Sequence, residues 1–418
     1  MACGGGASRV DMAGLGQMQT QLAAYKCDTN EAICLKLVRT AEDLVDEETT
    51  FKPEFSHQLF ENETVFGYKE LQVCLYYSAC RLTTLLQVKF ASTVTDRFKG
   101  IEPDDVEGKI KEFIPSGYCI GADDFLSLLS KDATFKPFGE LIHLYTQPCR
   151  ENDQEYTYVI YKADMSCPGF REYHARLQTF LLWYIETASY IDVDDDKWNY
   201  FLLFENFEHD GVPHYAIVGY MTVYNYYAYP DKIRPRISQM LVLPPFQGQT
   251  HGAHLLEAVH KFFIADADVL DITAEDPSES FTRLRDFVDT KMCCQLPSFA
   301  ADQLSQGFGS EMISEAQQKL KINKKQARRV YEIRRLGVTD PSNTEKYRLY
   351  RIDVKRRLNM PFQKNSREIA KMRRFLKPEE LDSQLQQLDL KQQQDWLEKE
   401  FQEVVTQYRR TLERLAIA

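Results

Sequence analysis

Two adjacent acids, Glu275 and Asp276, close the run "VLDITAED". A carboxylate at a strand end can accept a proton from a substrate lying across it. The two are not equivalent. Asp276 precedes Pro277, and "DPSE" fits an N-cap, an N1 proline and an N3 glutamate of a following helix. Glu275 has no capping position to fill, which leaves it the stronger candidate for a base. Upstream, "PPFQGQTHGAHLLEAVHKFF" places Gly248, Thr250 and Gly252 between a strand-like and a helix-like run. Glycine lets the backbone approach a ligand closely, and a helix N-terminus turns N–H groups toward phosphate. The stretch has neither Gly-Lys-Ser/Thr nor Gly-x-Gly-x-x-Gly. A pyrophosphate held by main chain is one reading of the loop, and an ordinary β–α connection is the other.

Further acids stand at Glu186 and in "IDVDDD" (191–196). The spacing of Asp192, Asp194 and Asp196 begins like a calcium loop. The sixth-position glycine and twelfth-position glutamate are missing, so an EF-hand is excluded. An acidic rim for a basic peptide is the functional alternative to plain solvated charge. Trp198 and Tyr224, Asn225 and Tyr226 are positioned to flank such a groove, where aromatic faces pack a lysine stem. Ordinary packing at strand ends accounts for them equally well.

These residues need a scaffold. "WNYFLLFENFEHDGVPHYAIVGYMTVYNYY" is two strands around an Asp210-Gly211 turn. "RISQMLVL" (236–243) is a strand that Pro244-Pro245 ends. Leu255, Ala258, Val259, Phe262 and Phe263 make one helix face. "GELIHLYTQ" and "YTYVIYKADM" form a hairpin around "PCRENDQE", and 171–191 is expected to be one long amphipathic helix with Glu186 near its end. "AICLKLVRT" and "LQVCLYYSACRLTTLLQVKFAS" are β-rich, and "ADDFLSLLSKD" opens as an Asp-capped helix. The fold class is α/β, a mixed sheet with helices. The expected domains are a flexible leader (1–22), an N-terminal α/β domain (23–136), a catalytic α/β domain (137–310) and a charged, solvated helical extension (311–418).

Charge is unevenly spread. The chain of 418 residues has a net charge of −11. Residues 311–418 carry 25 Lys and Arg against 16 Asp and Glu, so the preceding part carries −20. Such an acidic body suits a basic partner and argues against gripping nucleic acid, while solubility alone is the other reading of it. Ten scattered cysteines without a Cys-x-x-Cys pair fit a reducing compartment and leave no zinc spacing, so no metal is expected. No apolar run reaches the roughly 18 residues of a membrane span, and no membrane partner is expected. "KINKKQARR" and "VKRR" have the composition of nuclear-import clusters or of a partner surface.

The stretch Gln247-Gly248-Gln249-Thr250-His251-Gly252-Ala253 resembles the Gln/Arg-x-x-Gly-x-Gly/Ala signature of the GNAT superfamily of N-acetyltransferases. With "SQMLVLPPFQGQ", "VLDITAEDPS", "LRDFV", "FREYHARLQTFLLWYIETASYIDVDDD" and "GYMTVYNYY", the chain resembles the type B histone acetyltransferase catalytic subunits over nearly all its length after the leader. That resemblance implies a GNAT core using acetyl-CoA, lysines in the tail of newly made histone H4 as acceptors, a WD-repeat histone chaperone as partner, and work in nucleus and cytoplasm. It implies Glu275 as general base, Asp276 as supporting acid, and Glu186 as a second carboxylate near the acceptor. Cofactor contacts are implied for Met240, Leu241 and Val242 on the pantetheine arm and for Gln247 to Ala253 on the pyrophosphate. Ser280, Arg285 and Phe287 are implied near the CoA, and Glu61, Asn62 and Glu63 as contacts to the tail.

Acetyl transfer to lysine needs the neutral amine, whose ordinary pKa is near 10.4. A base whose own pKa is raised by burial removes that proton. A backbone N–H of Leu241 or Val242 would hold the oxyanion. No cysteine is placed for an acyl-enzyme, so direct transfer in a ternary complex is expected. One position departs from the signature: Thr250 stands where its first glycine belongs. At positive φ a β-branched residue costs on the order of 1–3 kcal/mol, whereas at negative φ its hydroxyl could serve the phosphate. Two other readings therefore stand beside the first. One is a histone-binding subunit with catalysis weakened by Thr250; the other is a GNAT enzyme for a small amine, which the acidic groove and large N-terminal domain disfavour.

Overall fold

The computed structural model describes residues 12–148, 154–187, 189–364 and 390–417. The chain forms two compact units: Met1–Val223 with Gln239–Leu255, and Tyr224–Ser238 with Leu256–Ala418.

In the first unit, a small sheet orders β1 (Ile33–Val38), β2 (Gln72–Ser78) and β3 (Thr84–Lys89), parallel then antiparallel. Helix α1 (Ala122–Leu129) buries Phe125 and Leu129 against Val38, Cys74 and Leu85. Its N-cap is Gly121 without a side-chain bond. Asp123 and Asp124 fall inside the first turn instead of at the cap, where they still oppose the positive end of the helix.

A larger sheet begins with β4 (Glu140–Pro148) and β5 (Glu155–Ala163), paired antiparallel as expected. Between this pair and β6 (Trp198–His209) comes helix α2 (Phe170–Leu177). It continues as a 3-10 turn and a short helix only to Tyr184. The long helix expected over 171–191 thus stops early: Ile185 is extended at φ −125 and Thr187 turns to φ 56. Strand β7 (Val212–Ala228) returns through Asp210 and Gly211, both at positive φ, the conformation an Asp-Gly hairpin turn demands.

Strand β8 (Lys232–Val242) starts four residues before the expected 236, through Pro235. It buries Pro235, Ile237, Gln239 and Leu241, while Arg236, Ser238, Met240 and Val242 occupy the other, half-buried face. At Gly219 the β7 backbone meets β8 so closely that a Cβ would lie 2.5 Å from the Leu241 carbonyl oxygen. Only glycine fits there.

From the end of β8 the chain enters helix α3 (His251–Ile264). Within the second unit, the expected strand over 269–276 is only β9 (Thr273–Ala274), which lies parallel to Arg236 and Ile237. Helices α4 (Glu279–Cys293), α5 (Ser310–Leu320), α6 (Lys324–Val338), α7 (Thr344–Leu358) and α8 (Leu390–Ile417) follow. The charged extension is not simply solvated. Glu332 is fully buried and accepts from Arg328 (2.7 Å), Arg357 (2.8 and 2.9 Å) and the Tyr408 hydroxyl (3.0 Å). A buried carboxylate is tolerable only when its oxygens are met in this way. Ile333, Tyr350, Val354, Phe401 and Val405 form one buried apolar cluster with Tyr408.

Candidate active site

The glycine loop is held by side chains on both sides of it. After β8, Leu243 N–H donates to Val218 O at 2.9 Å, and Pro244–Phe246 makes one 3-10 turn. Gln247 Nε2 donates back to Val242 O (2.9 Å), and Gln249 Nε2 to Pro245 O (3.1 Å). Gln147 of β4 donates to Gln249 O (3.1 Å), and its Oε1 accepts from the Thr250 hydroxyl (3.3 Å). Gly248 stands at φ 72, with open space where a Cβ would project.

Thr250 resolves the alternative left by the sequence, because its φ is 67. A β-branched residue therefore sits in the left-handed region immediately before the helix, where its carbonyl accepts from Ala253 and His254 N–H. The bonding fixes a backbone that threonine disfavours.

His251 points away from the loop surface. It is 1% exposed and shares a 2.8 Å hydrogen bond with the Tyr145 hydroxyl. Burial lowers its pKa to about 4, and His254 adds to the effect. Tyr145 stacks on His254 at 3.9 Å. His251 therefore offers a ligand its main chain, not its imidazole. Ala253 is buried and Gly252 half-buried; Leu241 faces the core while Met240 and Val242 face the other side of the strand. A glycine at positive φ followed by a helix N-terminus, whose first N–H groups have no partner inside the helix, fits a diphosphate bound by main chain.

The carboxylates are more open. Glu275 is tied at its backbone, N–H to Ile237 O at 2.9 Å. Its Oε2 accepts from the Ser238 hydroxyl at 3.3 Å, and Oε1 lies 3.8 Å from Arg236 Nη1. Its side chain is 44% exposed, not buried as expected of a base. The Arg236 guanidinium also lies 4.3 Å from the centroid of the Tyr226 ring, which meets Tyr224 edge-on at 4.7 Å. The carbonyl oxygen of the Asn225 side chain is buried without a hydrogen-bond partner among the described residues.

Asp276 is exposed at φ 31 and caps nothing. The helix begins two residues later than "DPSE" implied: Ser278 is the N-cap, its hydroxyl accepting from Phe281 N–H at 3.2 Å. Ser280 pairs its hydroxyl with that of Ser278. Arg285 and Phe287, expected near CoA, are interior residues of the second unit. Arg285 donates to Ile272 O (2.8 Å) and Asp289 (3.3 Å), and Phe287 lies buried under the Arg414 guanidinium at 4.1 Å.

Glu186 lies past the helix in an exposed turn. That segment is anchored on either side by Gln58 on Ile185 O and Gln239 on Ser189 O, each at 3.0 Å. Trp198 opens β6 half-buried. Glu61 and Asn62 are exposed. Glu63 accepts from Ser56 N–H at 3.0 Å, which with Asn30 and His57 lowers its pKa, so it already has internal work. Four residues that sequence reasoning missed now matter: Gln147 and Tyr145 brace the loop, and Ser238 and Arg236 meet Glu275. The alternation of β8 was the available signal for the last two, since they share a face with Met240.

Two family profiles match the chain. One, described as the histone acetyl transferase HAT1 N-terminus, covers residues 25–186. The other, described as the C-terminal part of the histone acetyltransferase type B catalytic subunit, covers 285–336. The histone acetyltransferase type B catalytic subunits of Homo sapiens and Rattus norvegicus are each 58% identical over 400 residues, spanning 96% of this chain and 96% of theirs. That of Cryptococcus neoformans is 34% identical over 382 residues, spanning 82% and 90%. A solved aminoglycoside acetyltransferase from an uncultured soil metagenomic sample overlaps 30% of this chain and 82% of its own, at 16% identity and a TM-score of 0.23. With identity sustained over nearly the whole chain, and with both family profiles matched, the chain belongs to the family of type B histone acetyltransferase catalytic subunits.

Proposed function

We propose that this chain transfers acetyl from acetyl-CoA directly to lysines in the tail of newly made histone H4, with Glu275 as general base. Family membership makes it an acetyl-CoA-dependent histone acetyltransferase; the tail, the base and the mechanism are our reading. The observation that carries it is the setting of Glu275. Its backbone is fixed to β8, one oxygen is oriented by Ser238, and much of its side chain faces solvent.

The lysine arrives charged and must lose a proton before its nitrogen can attack. Glu275 takes that proton, directly or through one water. A tail lying over the carboxylate removes water from it and makes it a better acceptor. The amine then attacks the thioester carbonyl, a β8 backbone N–H at Leu241 or Val242 steadies the oxyanion, and the thiolate leaves with a proton. Asp276 and Glu186 supply negative charge for the incoming cation. Tyr224 and Tyr226, with Trp198, pack its methylene stem, and Glu61 and Asn62 contact the tail beyond it. The loop from Gln247 to Ala253 holds the pyrophosphate through main chain, with Met240 and Val242 along the pantetheine.

The −20 charge of the first 310 residues suits the basic tail. We further propose a WD-repeat histone chaperone as partner, with work in both cytoplasm and nucleus. Thr250 at φ 67 favours a second reading, a histone-binding subunit of weakened catalysis. Radiolabelled acetyl transfer to H4 tail peptide, with and without the chaperone, separates the two. Saturable transfer to H4 peptide well above that to a polyamine is expected. Tight peptide binding without transfer at any acetyl-CoA concentration would give the second reading the case.

A further inference from the structure

A cleft of about 220 Å³ opens in the first unit, away from every residue assigned above, and two arginines line it: Arg81 and Arg176. Guanidinium groups gathered in one cleft repel each other unless an anion lies between them. Burial lowers the Arg176 pKa, and Arg81 contributes to that lowering. Nearby carboxylates offset part of this charge, Glu172 raising the Arg176 pKa, but among the described residues neither Glu172 nor Asp132 accepts a hydrogen bond from the two guanidinium groups. Asp132 comes no closer than 3.9 Å to Arg81 Nε, and its oxygens already accept from Cys80 N–H and Ser78 Oγ. Glu172, one helical turn before Arg176, acts on it only through space.

Donors remain unused. Among the described residues the Arg176 side chain donates once, Nε to Arg81 O at 3.2 Å. Arg81 uses Nε on Lys131 O and Nη2 on Thr134 Oγ1. Among the described residues, neither terminal nitrogen of Arg176 nor Nη1 of Arg81 has an acceptor. The Thr83 and Ser116 side chains also line the cleft, and neither hydroxyl has a described partner.

Backbone hydrogen bonds hold both walls. Arg81 and Thr83 sit in the β2–β3 turn, which Leu82 N–H closes onto Ser78 O and Ser78 N–H onto Thr83 O, with the buried Leu82 forced to φ 57. The opposite wall, Pro115 to Tyr118, runs into Cys119, which exchanges 2.7 and 2.9 Å backbone bonds with Thr84 and Leu86.

We propose that this cleft is a binding site for a phosphate monoester, with the Arg176 fork and Arg81 on its oxygens and the Thr83 and Ser116 hydroxyls completing the shell. A planar fork plus a second guanidinium matches a tetrahedral dianion better than a single carboxylate. The site takes no part in acetyl transfer and would report the phosphorylation state of a protein segment or the level of a small phosphate.

Calorimetric titration of the full chain with inorganic phosphate and with capped phosphoserine tests it at low ionic strength. Saturable binding of both, each competing with the other, is expected. Tighter capped phosphoserine marks a protein-borne group as the source; tighter inorganic phosphate marks a small molecule. Arg176→Gln should weaken either at least about tenfold and Arg176→Lys less, since lysine keeps the charge but loses the fork. Because Arg176 also ties down Arg81 O, Ser116→Asp on the exposed rim gives an independent arm that leaves the fold intact. It should weaken phosphate by a similar factor, with acetyl transfer to H4 peptide unchanged in phosphate-free buffer. Absence of saturation by either probe, or wild-type affinity in Ser116→Asp, would overturn the site.

Discussion

The loop from Gln247 to Ala253 and the acidic corner at Glu275 and Asp276 are built in opposite ways. In the loop, Gln247 and Gln249 bond back onto their own turn, Gln147 bonds across from another strand, and His251 is buried against Tyr145. At the corner, Glu275 has a 3.3 Å hydroxyl and an arginine at 3.8 Å, and Asp276 is exposed. The difference fits what each is proposed to receive. A diphosphate has fixed charge and shape, so rigid main-chain donors give affinity without ordering cost at the moment of binding. A histone tail is an extended, flexible cation, and a carboxylate that stays wet until the tail covers it avoids a buried, unpaired charge in the free enzyme. Mutations should therefore act on turnover at the corner and on cofactor affinity at the loop.

The largest effect belongs to the corner. Glu275→Gln keeps shape and the Ser238 contact but cannot take a proton, and should lower kcat on H4 peptide by roughly 100-fold or more. Acetyl-CoA affinity should hold. Turnover within a few-fold of wild type across pH 7 to 9 would remove Glu275 from the base role and collapse the division between the two regions.

Next comes the loop. Thr250 adopts φ 67, so Thr250→Gly relieves strain of order 1–3 kcal/mol, offset in part by the freer unfolded chain that glycine brings. It also gives up the 3.3 Å bond to Gln147, a contact near the weak end of hydrogen-bond geometry. Acetyl-CoA should bind up to about tenfold more tightly, equivalent to ~1.4 kcal/mol, with kcat at saturating cofactor little changed. Calorimetry on both proteins measures it. Weaker binding by the glycine variant would mean that the Thr250 hydroxyl serves the ligand.

What could be read without coordinates was local. The Asp210-Gly211 hairpin, the α3 face and the glycine loop are set by neighbouring residues, and each formed where the spacing put it. Element ends were less legible because tertiary partners set them. The apolar run to Ile191 keeps helical composition, yet the helix stops at Tyr184, and Gln58 and Gln239 hold the carbonyls of Ile185 and Ser189 instead. "DPSE" scans as a cap at Asp276, but the Ser278 hydroxyl provides it. Arg285 carried no sign that Asp289 and the Ile272 carbonyl would claim it, and Gln147 lies 103 residues from Thr250. The glutamine-rich C-terminal helices read as solvated because the ion pairs around Glu332 use the same residue types as a wet surface.

A smaller effect should come from salt. The body is acidic and the proposed ligand basic, and charges at an exposed corner are screened over ~8 Å at physiological ionic strength. Raising salt from low to physiological should weaken H4 peptide several-fold in a fluorescence titration. An affinity flat across that range would say that the acidic residues do not meet the tail.

The smallest effect refines the corner itself. Ser238 donates to Glu275 at 3.3 Å, and a long, partly exposed hydrogen bond contributes about 0.5–1 kcal/mol. Ser238→Ala should therefore lower kcat by only about two- to fivefold, through a carboxylate that samples more orientations. KM for peptide and the affinity for acetyl-CoA should stay put, a split that general unfolding would not produce. If Ser238 acts only by positioning Glu275, the two mutations must not add: Ser238→Ala in a Glu275→Gln background should cost less than it does alone, because the proton acceptor it orients is already gone. Full additivity in that double-mutant cycle would assign the Ser238 hydroxyl a role of its own, on substrate and not on the base.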